Sequence, residues 1–363
     1  MPTKGLCLAC LTVSRYACEV PLTRVFPGRR FRLVALSALV LTAAACGGGQ
    51  SGADESARTV TVYTGRHYGI EPVFDEFTKA TGIAVRFTTG SDPELRERLL
   101  AEGANTPADL LITADATNIE LASAAGLLAP FTSERLGKAI PPDLRSEDDT
   151  WHALSRRLRV IMHSTERVTE PPSTYAQLGD ARWSGRLCLR PSTHPYTQSL
   201  VAGLVINQGA EKAGQIVRSW VANKPLYINS DTDILKAVIA GDCDVALANT
   251  YYLARMKSED PSTPVAISWP EQDAAGAHLN VSAAGVTAAA QNPREAQALL
   301  EWLATDGQKA FSDANLEYPA DPNVAPAGVL SGFGTFVSDT AAVRRLGSLN
   351  PAVVDLLSRA GYE

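Results

Sequence analysis

The sequence predicts an α/β protein of two lobes, each a mostly parallel sheet flanked by helices. Three observations carry the prediction. From residue 59 onward, short runs with period two and many β-branched residues alternate with segments of helical spacing across short turns. At Trp151 the alternation gives way to an extended run, 153–162, whose interleaved arginines suit a segment crossing between lobes, and a second strand and helix series follows. The chain has 363 residues, 45% apolar and 20% charged, enough for a substantial core divided in two.

The front of the chain reads as an export signal. Arg29-Arg30-Phe31-Arg32 precedes an apolar run over 33–41, then Thr42-Ala43-Ala44-Ala45-Cys46 and three glycines. This basic, apolar, small-residue order is that of a secretory signal, and the run is too short to span a bilayer. Cys46 after three small residues resembles the lipobox of bacterial lipoproteins, in which the cysteine is lipidated and becomes the mature N-terminus. Ala43 stands where Leu is more usual, and the competing reading is a free cysteine near an ordinary cleavage site. Residues 1–45 are therefore expected to be a signal region, with 1–24 an over-extended start and initiation nearer Val25. The Cys7-x-x-Cys10 spacing stands alone, without the partners of a metal or redox site. Residues 46–58, the lipidated cysteine and a run of Gly, Ser, Ala and acids, read as anchor and flexible tether.

Residues 1–45 hold six of the 33 basic residues and one of the 39 acids, so residues 46–363 hold 27 against 38 and carry a net charge of −11. An acidic body argues against a nucleic-acid partner. With Cys46 as anchor, the exported body holds Cys188 and Cys243, and two cysteines in an oxidising compartment suggest one disulfide; the alternative is two buried thiols.

Lobe 1 is expected over 59–150. It opens with strand 59–63 and the turn Gly65-Arg66-His67-Tyr68. A helix through Val73, Phe74, Phe77 and Ala80 is stopped by Gly82, and strand 83–87, charged helix 93–103, strand 108–112 and helix 119–126 follow. Lobe 2 is expected over 151–275. Its extended run leads to strand 186–190, which enters Pro191-Ser192-Thr193-His194-Pro195-Tyr196, and helix 197–207 comes next. Strand 226–228, helix 233–240 with Asp231 or Thr232 as cap, and strand 245–248 complete it. Residues 276–335 return to lobe 1 with strand 279–286 and one helix, 293–314, whose apolar face carries Ala296, Leu299, Leu300, Leu303 and Phe311; 336–363 form a C-terminal helical segment. Two α/β lobes joined by crossing strands describe a Venus flytrap binding protein with its ligand in the cleft.

The most informative stretch is Asn249-Thr250-Tyr251-Tyr252-Leu253-Ala254-Arg255, directly after the buried strand. Neighbouring strand residues point to opposite faces, so both tyrosines reach one target only if the strand has ended. Asn249 or Thr250 would end it as a helix N-cap, placing both phenols in the first turn at the positive end of the helix dipole. The end of a strand is where α/β sheets bind ligands. The plainer reading is a tyrosine pair that packs its rings and wets its hydroxyls.

Three loops at strand ends thus offer Tyr68 with His67, Tyr196, and Tyr251 with Tyr252. Phenolates are hard, strongly donating ligands that suit a highly charged cation such as Fe(III). A free phenol has a pKa of about 10, so the metal's charge must expel the protons, and binding should weaken in acid. Taken singly, His67 reads more simply as a turn residue, and His194 as loop filling.

Four ordered motifs carry a resemblance. Arg66-His67-Tyr68, Arg190-Pro191-Ser192 with Tyr196-Thr197-Gln198-Ser199-Leu200, Cys243-Asp244 with Ala248 to Arg255, and Tyr318-Pro319 with Phe333-Gly334-Thr335-Phe336 span nearly the whole exported body. They resemble the ferric-iron-binding proteins of bacterial ABC importers, most of all the FutA-type branch of the FbpA-like family. The resemblance implies a two-lobe, periplasmic-binding-protein-like fold of type II. It implies His67, Tyr68, Tyr196, Tyr251 and Tyr252 as iron ligands, with Arg66, Arg157 and Arg255 as supporting or anion contacts, and a synergistic anion beside the metal. Expected partners are an ABC permease with its ATPase and membrane lipid through Cys46, for a monomer on the outer face of the membrane that is not an enzyme. Two other readings stay open: a receptor for an anion or small organic ligand that uses the arginines, and a ferric enzyme with Tyr and His ligands. No nucleophile elbow, P-loop or zinc motif supports other chemistry.

Overall fold

The computed structural model describes residues 58–66 and 69–363. The signal region, Cys46 and the tether to residue 57 lie outside them, as do His67 and Tyr68. The described residues form one compact unit that carries every element named below.

Its strands are β1 (Thr59–Thr64), β2 (Ala84–Thr89), β3 (Leu110–Thr113), β4 (Leu128–Ala129), β5 (His152–Ser164), β6 (Leu187–Leu189), β7 (Leu226–Tyr227), β8 (Val245–Asn249), β9 (Val265–Ser268), β10 (Ala277–Thr287), β11 (Tyr318–Pro319) and β12 (Ser338–Asp339). They run in the order β2-β1-β3-β10-β5-β8-β6-β7, with β4 and β12 on β10 and β9 and β11 on β5. The outer strands of each half are parallel: β1 with β2 and β3, and β6 with β7 and β8. β5 joins the halves. Its first part pairs antiparallel with β10, and Arg159 to His163 pair with β8. This is the crossing segment expected at 153–162.

β5 is buried almost throughout, although three of its thirteen residues are arginines. A strand covered on both faces shows no polar alternation, so the buried Arg157 and Arg159 require buried acids from elsewhere in the chain, while the partly exposed Arg156 donates to the Pro319 carbonyl.

Helix boundaries follow the local signals closely. Ile70–Thr81 stops at Gly82 with φ 71°, and Asp92–Glu102 carries a Ser91–Glu94 capping box. Three expectations are corrected. The single helix expected over 293–314 is two, Pro293–Ala304 and Gln308–Asp313. The break falls at Gly307, whose N–H donates to the Trp302 carbonyl at 2.8 Å and whose Cα lies against the indole, where a Cβ would come within 2.3 Å of the ring. The helix Ala210–Ala222, burying Ala213, Ile216, Val217 and Trp220, had no counterpart in the sequence reading. Finally, Ser230 rather than Asp231 or Thr232 caps the helix Asp231–Ala240, which frees the Asp231 carboxylate for other partners.

Cys188 on β6 and Cys243 just before β8 form a disulfide, with Cα atoms 5.8 Å apart and a sequence separation of 55. No helix among the described residues is long and apolar enough to cross a membrane.

Candidate metal centre

β8 ends at Asn249 and the helix Thr250–Glu259 begins at once, so Tyr251 and Tyr252 occupy its first turn. Asn249 holds the N-cap position but its side chain makes no capping bond. Its Oδ1 accepts from Arg159 Nη1 at 3.4 Å, and Thr250 Oγ1 accepts from the Leu158 N–H at 3.4 Å, which ties the turn to β5. The Tyr251 and Tyr252 rings lie with centroids 4.1 Å apart at 32°. Tyr251 is 3% exposed and Tyr252 half-buried.

Tyr196 comes from a second helix start. It is the second residue of Pro195–Gln208, whose N-cap is His194; the imidazole Nδ1 accepts the Tyr196 N–H at 3.1 Å. Burial, with Arg190 and Arg159 adding to it, lowers His194 to about 3, so the ring is neutral and its Nδ1 is taken by the backbone. The Tyr196 and Tyr251 hydroxyls stand 3.3 Å apart. Two helix N-termini therefore bring three phenols together.

Cations surround them. Arg157 and Arg159 lie 5.3 and 5.8 Å from the Tyr196 ring centroid, and Arg255 lies 5.4 Å from that of Tyr251. Two fully buried carboxylates hold Arg157 and Arg159, together with Arg66 and Arg190. Asp231 accepts from Arg159 Nη1 at 2.6 Å, Arg190 Nε at 2.7 Å and the Asn249 N–H at 3.0 Å. Glu317 accepts from Arg66 Nη1 at 2.8 Å and lies 3.9 Å from Arg157 Nη1. Burial opposes the charge of each acid, yet the paired arginines outweigh it and hold both carboxyls below the usual range. Four guanidinium groups against two carboxylates leave an excess of positive charge beside the phenols. Nε and Nη2 of Arg66 and of Arg157 are buried without a hydrogen-bond acceptor among the described residues, which equips this side of the site for an anion.

Burial first, then Tyr196 and Tyr252, push the Tyr251 phenol well above its ordinary value, against the pull of Arg157. Tyr252 is also raised, by burial, Tyr196 and Asp231. Both are protonated at neutral pH, so only a cation able to expel phenol protons can use them. Among the described residues no group of three His, Cys, Asp or Glu is placed to hold a metal. The oxygen donors on offer are the phenols, a set suited to a hard cation.

Of the residues singled out from sequence, Tyr196, Tyr251 and Tyr252 come together, with Arg157 and Arg255 against their rings. Arg66 sits one step back on Glu317, and His67 and Tyr68, which follow it in the chain, lie outside the described residues. Glu317, Asp231 and Asn315 were missed. Asp231 was visible as a capping candidate, and Glu317 directly precedes the Tyr318-Pro319 motif, but nothing local marks either as the partner of a distant arginine.

Residues 73–333 match the family model of bacterial extracellular solute-binding proteins. The chain is 37% identical over 316 residues to the iron uptake protein A1 of Synechocystis sp., covering 84% of this chain and 87% of that protein. It is 30% identical over 276 residues to the major ferric iron-binding protein of Neisseria meningitidis serogroup A, covering 73% and 82%. Among solved structures, Trichodesmium FutA (IdiA) in complex with iron and citrate ligands matches with a TM-score of 0.79 and 38% identity, over 84% of this chain and 100% of that one. These likenesses give the two-lobe, type II fold, of which the alternation and the crossing strand suggested the two lobes and the family resemblance the type. The chain belongs to the bacterial extracellular solute-binding proteins, within their FutA-type branch of ferric-iron-binding proteins.

Proposed function

We propose that this protein captures ferric iron outside the cytoplasm and delivers it to an ABC permease powered by a cytosolic ATPase. The observation that carries the reading is the convergence of Tyr196, Tyr251 and Tyr252 at two helix N-termini beside an arginine cluster. These phenols act as ligands in their ionised form, with Tyr68 and His67 adding donors from the loop after β1. Arg157 and Arg255 favour the phenolates, and the spare N–H groups of Arg66 and Arg157 seat a synergistic anion. The related Trichodesmium protein, held with iron and citrate, supports the same pairing of metal and anion.

Five donors nearly fill an octahedral iron shell and an anion completes it, which suits carriage rather than catalysis, since a catalytic metal keeps open positions for substrate. Residues 59–150 with 276–335 form one lobe and 151–275 the other, and closure between them completes the coordination. Release follows from opening, reduction or phenol protonation. Cys46 anchors the mature protein, as a monomer, to the outer face of the membrane.

The test is a titration of the purified protein with ferric citrate, read as visible absorbance, for wild type and a Tyr251→Phe, Tyr252→Phe double variant. A phenolate-to-iron band that saturates at one iron per protein and disappears in the variant is the expected result. A colourless wild type would move the reading to an anion receptor built on the arginines.

A further inference from the structure

Glu317 is 1% exposed and directly precedes β11, which pairs Tyr318 with Arg156 and Pro319 with Ser155 on the strand that carries Arg157. Its Oε2 accepts from Arg66 Nη1 at 2.8 Å and from the Ser155 hydroxyl, and its Oε1 accepts from Asn315 Nδ2 at 2.8 Å. Arg157 Nη1 lies 3.9 Å away, and Asn315 Oδ1 in turn accepts from Arg255. Three arginines are thus held, directly or through Asn315, by one carboxylate, and two of them stand against the Tyr196 and Tyr251 rings.

A fixed charge at that place acts unequally on the two things iron can do. Loading Fe(III) in exchange for the protons of Tyr196, Tyr251 and Tyr252 is charge-neutral, and what Glu317 opposes in loading is the negative charge that Tyr68 and the anion add. Reduction is different. Fe(III) takes one electron from an external one-electron donor and becomes Fe(II); no protein bond breaks, no proton is required, and the charge of the site falls by one. Nearby cations favour that change and a nearby anion opposes it. Arg66, Arg157 and Arg255 all pull towards ferrous iron, and Glu317 opposes them from a position fixed by five hydrogen-bonded or ion-paired groups. We infer that Glu317 sets the valence preference of the site, holding the bound iron ferric against the field of its own arginines. It acts as a fixed charge that those groups hold in place, and the inference rests on the ferric reading above.

The test is the midpoint potential of the bound iron, followed on the phenolate band in a mediated spectroelectrochemical cell. Glu317→Gln should move the midpoint positive, costing at least about tenfold in ferric over ferrous preference, or about 59 mV for a one-electron couple. At an effective dielectric of about 20, a unit charge keeps that much leverage out to roughly 12 Å. Glu317→Asp keeps the charge and should stay near wild type, Arg66→Gln should move the midpoint negative, and the double variant Arg66→Gln, Glu317→Gln should return towards wild type. If Glu317 only supports the fold, the two single neutralisations shift the midpoint in the same direction or leave it alone, and either result overturns the inference. Should Glu317→Gln fail to fold, Arg66→Gln against the double variant isolates the same carboxylate, with the double expected on the ferrous side by about tenfold. A wild type without the band would remove the ferric reading itself, whereas a band with an unmoved potential removes this inference alone.

Discussion

Replacing Tyr251 with Phe should change the number of protons that leave with each iron bound. The substitution is mild in packing terms. It keeps the ring 4.1 Å from Tyr252 and removes a hydroxyl that stands 3.3 Å from that of Tyr196. Burial and the adjacent phenols raise Tyr251 and Tyr252 above 10.0, so each carries its proton throughout the neutral range and must lose it on ligation. Loading from one ferric citrate stock should therefore release one proton fewer per iron in Tyr251→Phe, because the contribution of the stock cancels in the difference. The same count fixes the pH dependence. Acid competes with the metal, affinity rises with pH, and each ligating phenol contributes about one tenfold gain per pH unit below its folded pKa. The wild type should show about three such factors from the described phenols, and the variant about two. A pH-stat gives the proton count, and chelator competition at several pH values gives the slope. Equal proton release from wild type and variant, with both binding one iron, would refute the assignment of Tyr251 as a ligand.

Three further outcomes concern the frame around the phenols. Asp231→Asn strands Arg159 and Arg190, and removing one member of such a buried network should cost about 3–5 kcal/mol by denaturant unfolding. Because the Asp231 pKa is depressed in the folded state, the wild-type advantage is full above 3.8 and shrinks as the pH falls through the lower folded value; a gap that widens in acid would contradict this. Opening the Cys188–Cys243 disulfide releases a loop of 55 residues and should destabilise by up to roughly 4 kcal/mol, seen as a lower Tm in reductant. A Cys188→Ala, Cys243→Ala variant that melts with the oxidised wild type would dismiss the effect. Asp92 runs the other way: burial pushes it up to about 7, so its contribution is favourable below 3.8 and lost as the pH rises through 7. Asp92→Asn can keep the bond from the Ala114 N–H, 3.0 Å in the wild type, and should raise stability by on the order of 2 kcal/mol above neutral pH but not in acid. Thermal melts at both ends of that window decide it, and an equal gain at both would show that the charge is not the cause.

What the sequence made legible was local. A strand that ends at Asn249, a helix that starts beside it and two phenols in the first turn follow from neighbouring residues, and the three-phenol cluster follows from strand ends meeting on one side of a sheet. The helix Ala210–Ala222 carried its apolar period openly, but the preceding helix ends at Gly209, which also begins the next, so no loop separated the two patterns. Conversely, the period over 293–314 ran through Gly307 unbroken, and only the packing of Trp302 against that glycine divides it. The charges were harder for a different reason. Arg66 meets Glu317 across 251 residues of chain and Arg159 meets Asp231 across 72, distances over which no spacing rule reaches. Yet the need for such acids could have been deduced. A strand like β5, covered on both faces, cannot bury Arg157 and Arg159 without carboxylates to meet them, and the acids that answer must also be buried. An acid with no surface role directly before a motif, as Glu317 stands before Tyr318-Pro319, is the form that answer takes in the sequence, and its place behind the phenols makes it part of the site.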